Sequence, residues 1–193
     1  MEAFKQRYPT VSLVIKTGHT DLIVEDIRSG ALDLAVASLP LPNEGREFFI
    51  QPLYREELVA VVGPGHALAK RRLVQPEEVK KYPLIVFPRG SSTRQVLDRS
   101  FQELNITPRI QLELENDEAV EKAIPTGIAV SFLPQRRACR DKVPFFRIAH
   151  YQIFREVALV SLRSQRLPAH LTYFTDLCRE HARSTFGPDC QGS

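Results

Sequence analysis

Apolar residues gather in short runs along this chain: Val11–Ile15, Leu32–Ala37, Leu58–Val62, Leu84–Phe87, Ile128–Leu133 and Val157–Leu162. Most of these runs are apolar at consecutive positions instead of alternating with polar ones. That pattern predicts strands covered on both faces, as in a parallel sheet flanked by helices. Between the runs the apolar spacing lengthens to that of a helix. Thr20–Gly30 opens on a cap-type Thr, sets Ile23 and Ile27 one turn apart and stops at Gly30. Ser92–Leu104 carries Val96, Leu97, Phe101 and Leu104 on one side, and a third helix is predicted from Asp117 to about Ala123. A fourth runs from Pro168 to about Phe186, with Leu171, Phe174, Leu177 and Cys178 as its stripe. Strands alternating with helices mean an α/β fold with a mainly parallel sheet.

Composition narrows the class. Of 193 residues, 43% are hydrophobic and 25% charged, which excludes an intrinsically disordered chain. No run approaches the ~18–20 apolar residues of a membrane helix, so no membrane partner is expected. The formal net charge of +3 does not announce a nucleic-acid binder. The basic, turn-rich stretch Gly63–Arg72 reads as an exposed connection with solvated charges. Cys139, Cys178 and Cys190 have no C-x-x-C spacing and read as free thiols in a reducing compartment. No apolar signal core follows Met1, so a cytoplasmic location is expected, and the polar stretch Phe186–Ser193 reads as a loose tail.

Several chemistries find no support. No strand is followed by G-x-G-x-x-G, and no phosphate loop, H-E-x-x-H or EF-hand spacing occurs. His19, His66, His150, His170 and His181 are scattered singly, without a Cys or carboxylate at ligand spacing, so neither a metal nor a cofactor is expected. Gly90–Arg94 lacks the second Gly of a hydrolase nucleophile elbow. Asp117 and Glu118, the nearest candidates for a catalytic acid, read as first-turn charges complementing a helix dipole.

One local pattern does carry chemistry. Pro83–Leu97 reads as a strand, a tight turn and a helix start, with hydroxyls at Ser91, Ser92 and Thr93. These cluster where the first free backbone N–H groups of the helix point outward, a setting suited to a carboxylate or other small anion. Ser92 with Gln95 also fits an S-x-x-Q capping box, which satisfies the helix by itself; the two readings are compatible. Ser38 follows the run Leu32–Ala37, as Gly18-His19-Thr20 and Gly90-Ser91 follow other predicted strands. Ligands in open parallel sheets settle beyond the carboxyl ends of strands, so these polar strand ends suggest one shared crevice.

The order of motifs resembles a known family. Phe4-x-x-x-Tyr8-Pro9-x-Val11-x-Leu13, Gly18 and Ile27-x-x-Gly30-x-Leu32-Asp33-Leu34-Ala35-Val36 are similar to the effector-binding domain of LysR-type transcriptional regulators. The likeness continues through Pro52-Leu53-x-x-Glu56-Glu57-Leu58-Val59, His66-x-Leu68-Ala69, Tyr82-Pro83-Leu84-Ile85, Gly90-Ser91-x-Thr93-Arg94 and the strand from Gly127 to Leu133-Pro134. It covers nearly the whole chain.

The resemblance implies a two-lobed fold like that of type 2 periplasmic binding proteins, each lobe α/β with a mainly parallel sheet, joined by two crossover strands. It places residues 1–56 and 154–193 in the first lobe and 57–153 in the second, with a small anionic metabolite bound between them. Ser38, Ser91, Ser92 and Thr93 are the hydroxyls it assigns to the effector, and Thr20, Gly90 and Gly127 complete the candidate set. It further implies a homodimer or homotetramer, pairing through Thr20–Ser29 and Ser92–Leu104, and DNA contact only through a helix-turn-helix domain that this chain lacks. By the same resemblance the family's first regulatory strand is missing ahead of Met1, which reads as a truncation. Pro125 stands where the family continues a helix, so a shortened helix from Asp117 is expected. Competing readings are a free-standing solute-binding protein and, less favoured, an enzyme on the same fold.

Overall fold

The structure is a computed structural model and describes residues 1–41, 46–127, 129–164 and 166–186. Ile128, Cys190 and the tail beyond Phe186 lie outside the described residues. The chain divides into two compact units, Met1–Arg55 with Glu156–Ser193, and Glu56–Arg155. Two long strands, β2 (Phe48–Val61) and β8 (Ile153–Leu162), run from one unit into the other.

The first unit holds α1 (Glu2–Arg7), α2 (Thr20–Arg28), β1 (Ala35–Ser38) and α7 (Ala169–Phe186). Strand β1 pairs antiparallel with β8, setting Ser38 opposite Val157. Val24 and Ile27 of α2 pack with Ala35, Ala37, Leu41, Phe48 and Val160 to form its core. Gly30 just past α2 takes φ 75°, the left-handed conformation that ends a helix at little cost for Gly. Phe4 of α1 is buried against α7, its ring 5.4 Å from Phe174 and edge-on at 88°. The apolar stripe of α7 differs in detail from expectation. Thr175 and Ala182 are its buried residues, while Leu171, Phe174, Leu177 and Cys178 are half-buried.

Two expectations fail in this unit. Val11–Ile15 is not a strand: no ladder partner runs beside it among the described residues, and Val14 and Ile15 are 75% and 70% exposed. A strand is stabilised by its neighbours, so an apolar run without one stays irregular. Thr20 is not the cap of α2 either. His19 holds that position in an extended conformation, with no side-chain cap bond, and Thr20 is already helical.

The second unit holds β3 (Leu73–Val74), α3 (Pro76–Val79), β4 (Leu84–Val86), α4 (Ser92–Glu103), β5 (Ile110–Glu113), α5 (Asp117–Ala123), β6 (Ser131–Pro134), α6 (Gln135–Arg140) and β7 (Phe145–Ile148). Its core joins Leu58–Val62 to Leu97 and Phe101 of α4, Phe132 and Leu133 of β6, and Phe146 and Ile148 of β7. Parallel pairing holds for β3 with β7 and β4 with β5. Strand β2 pairs antiparallel with β6 and β7, as β1 does with β8, so the ladders are mixed and not mainly parallel. The physical reason is that the long crossover strands run against their neighbours, which βαβ units alone would not produce. Helix α5 ends at Ala123 and passes into a 3₁₀ turn, Ile124–Thr126, as Pro125 requires.

Among the described residues no helix is long and apolar enough to cross a membrane, and no cluster of His, Cys, Asp and Glu could hold a metal ion.

Candidate functional site

The hydroxyl cluster sits on a turn that the sequence closes tightly. Beyond β4 the chain folds so that Ser91 N–H donates to Pro88 C=O at 2.9 Å, with Gly90 inside the turn. Ser91 is extended, at φ −80° and ψ 131°, and caps α4. Gln95 N–H donates to Ser91 C=O at 3.1 Å, so the amides of Thr93 and Arg94 precede the first bond of the helix. The capping box expected at Ser92 and Gln95 does not form. Ser92 is the first helical residue instead of the cap, which shifts Gln95 out of the reciprocal position, and Ser91 makes no side-chain cap bond.

Arg94 fixes this turn in place. Its buried guanidinium donates Nη1–H to Phe87 C=O at 2.8 Å and to Glu113 Oε1 at 3.1 Å, and Nε–H to Asp98 Oδ1 at 2.8 Å. One side chain thereby ties the end of β4, the first turns of α4 and strand β5 together. Burial opposes its charge, but the bonds to Asp98 and Glu113 raise its pKa above the ordinary value.

Thr93 is buried and belongs to a chain of charges. Arg155 donates Nη1–H to Thr93 Oγ1 at 2.8 Å and Nε–H to Glu56 Oε1 at 2.8 Å. Asp117, the first residue of α5, places Oδ2 4.0 Å from Arg155 Nη2 and 3.9 Å from Arg137 Nη1. Arg137 is bonded through Nε and Nη2 to Glu121, a partnership that raises the pKa of the guanidinium. Both guanidiniums of this cluster therefore already face carboxylates. An acceptor reaching Thr93 would meet neutral donors, its hydroxyl and the amides of Thr93 and Arg94 ahead of the first helical bond.

The remaining candidates stand apart from this cluster. Gly127 takes φ 76° after the 3₁₀ turn, with its N–H bonded to Ile124 C=O. A Cβ on Gly63 would lie 2.9 Å from Gly127 Cα, so the two backbones touch. Thr20 and Ser38 lie in the first unit, at the start of α2 and the end of β1, where Leu39 N–H bonds to Glu156 C=O at 2.8 Å. The sequence reading brought Ser91, Ser92 and Thr93 together but missed Glu56, Arg155, Arg137 and Glu121. Arg155 stands 62 positions from Thr93 and 99 from Glu56, beyond any local period. A local hint is the charged pair Arg155-Glu156 in a strand whose other residues are apolar except Ser161.

Comparison with known proteins follows the same lines. The chain is 24% identical over 170 residues to the transcriptional dual regulator GltC of Bacillus subtilis, covering 86% of this chain and 56% of GltC. It thus spans little more than half of that relative. In fold it is similar to the effector binding domain of QuiR in complex with shikimate, at a TM-score of 0.84 and 24% identity over 96% of this chain and 89% of that one. The Synechocystis CcmR regulatory domain in complex with 2-PG matches at a TM-score of 0.83 and 24% identity, over 95% and 89% of the two chains. Residues 1–183 match the LysR substrate binding domain, and this chain belongs to that family.

Proposed function

We propose that this chain is an effector-sensing domain that binds a small anionic metabolite at the amino end of α4 and, within a longer protein with a DNA-binding domain, controls transcription. The observation that carries the reading is Thr93, a buried hydroxyl in the first turn of α4, held by Arg155 in a chain of the LysR substrate binding family. Gly90, Ser91, Ser92 and Gly127 are the further residues to test in the second unit, with Ser38 and Thr20 in the first. Acceptor oxygens suit such a place because the helix end supplies N–H donors and a partial positive charge. An effector that favours one conformation shifts the population by its differential affinity, typically about 1–3 kcal/mol of coupling. The readout is a changed geometry of a homodimer or homotetramer paired through α2 and α4, acting in the cytoplasm.

A thermal-shift screen of small carboxylates, shikimate and 2-PG among them, tests this. A ligand at a hundred times its Kd adds about 2.7 kcal/mol, which raises the melting temperature by roughly 5–10 °C for a chain of this size. Ser91→Ala with Thr93→Val abolishes that rise while leaving the ligand-free melting temperature within a few degrees. A rise of unchanged size in the double variant removes the α4 terminus from the site.

A further inference from the structure

We infer that the outer edge of β3 is a docking site for an acidic, extended segment of another protein, which adds to the sheet as one more strand. The inference is independent of the effector reading.

Strand β3 closes its sheet: it pairs with β7, and among the described residues no strand lies on its other side. In the parallel ladder Leu73 stands opposite Arg147. Arg147 N–H donates to Arg72 C=O and Ala149 N–H to Val74 C=O, both at 2.9 Å. Alternate residues of a strand bond to the same side, so Leu73 turns its own N–H and C=O outward. Gln75 continues extended, at φ −71° and ψ 146°, and its N–H follows. The Leu73 side chain is 53% exposed beside these groups. An outward row of backbone donors and acceptors with an apolar side chain is what an added strand takes up.

Charge selects which strand. Because β3 and β7 are parallel, Lys70-Arg71-Arg72 ahead of one and Arg140-Asp141-Lys142 ahead of the other share one end of the sheet. Turns hold both stretches, with Arg71 N–H donating to Leu68 C=O at 3.0 Å and Lys142 N–H to Cys139 C=O at 3.3 Å. The carboxylates of Glu78 and Asp141 are occupied by Arg71 and Arg140, at 3.4 and 2.7 Å. Lys70, Arg72 and Lys142 stay exposed, with no carboxylate partner among the described residues. The unit Glu56–Arg155 as a whole holds sixteen Lys and Arg against twelve Asp and Glu. Cations at an open edge discourage neutral strands from stacking there, and the same cations draw a strand that carries carboxylates. Solvated charge was the reading of Gly63–Arg72 by itself, since Lys142 arrives only when β7 pairs with β3.

The test follows the Leu73 and Gln75 amides of the whole chain by nuclear magnetic resonance while acetyl-Glu-Val-Glu-Val-Glu-Val-amide is added. Both amides shift saturably. The Lys-Val counterpart of the probe moves neither. Lys70→Glu with Arg72→Glu and Lys142→Glu, all at exposed positions, weakens the acidic probe at least ~10-fold. Leu73→Pro removes an outward N–H but no bond to β7, and weakens it at least ~5-fold. The fully N-methylated probe keeps its charge but cannot pair; it is weaker by a similar factor on wild type, which serves if Leu73→Pro does not fold. Equal binding of the N-methylated probe, or tighter binding of a short DNA duplex at the same cations, would make this a surface for any polyanion and overturn the inference. An acidic probe that leaves Leu73 unmoved overturns it too. So do Leu73 shifts that depend on protein concentration alone, which give the edge to a second copy.

Discussion

Burial leaves His66 one backbone partner: its Nδ1 accepts Leu68 N–H at 3.1 Å, and its ring lies 4.5 Å from that of Tyr82. Because Nδ1 accepts, the neutral ring carries its proton on Nε2, and a second proton would set N–H against N–H. Burial pushes the pKa of His66 below its ordinary value. The unfolded chain then binds a proton that the folded one refuses, so stability is full above about pH 6.5 and falls as the pH drops below it. His66→Asn keeps an acceptor for Leu68 but cannot titrate in this range. Urea melts at pH 8 and pH 5 should therefore show a smaller stability loss for the variant than for wild type. Gly63 is constrained differently. A Cβ there would meet Ile124 O at 2.5 Å, and the obstacle is backbone that cannot rotate away. Gly63→Ala should lower stability by ~1–3 kcal/mol, as overpacking does, and should shift the amide resonances of 124–127.

At the scale of elements, Arg94 is the joint between β4, α4 and β5. Replacing it by Met removes the donors to Phe87 C=O, Asp98 and Glu113 together. Since both carboxylates are about half exposed and regain water, the expected loss is only ~1–3 kcal/mol, read from urea midpoints. Phe4→Ala, by contrast, opens a cavity under α7 and should lose ~3–5 kcal/mol from the first unit. Helices α2, α4, α5 and α7 were legible in the sequence because their signals are local, such as Gly30 past α2 and Pro125 after α5, whereas the short α3 and α6 were not read. The run Val11–Ile15 has equally good strand chemistry, yet lacks the neighbour that would turn it into one. The site divided in the same way. Ser91, Ser92 and Thr93 are adjacent in sequence and could be read, whereas Arg155 reaches Thr93 only after β8 has formed.

For the molecule as a whole, connectivity matters more than any single contact. The second unit is one unbroken segment, and its core lies entirely between Leu58 and Ile153. Its two ends, Glu56 and Arg155, are hydrogen-bonded to each other, so cutting the chain on either side leaves adjacent termini. The isolated segment Glu56–Arg155 should accordingly unfold in a single cooperative transition by circular dichroism; a non-cooperative melt would show that its core depends on the remainder of the chain. The same connectivity bears on inheritance. A stretch of gene coding for the α4 terminus, Arg155 and the core beneath them is one continuous cassette with two junctions, so recombination at those junctions would exchange the unit whole.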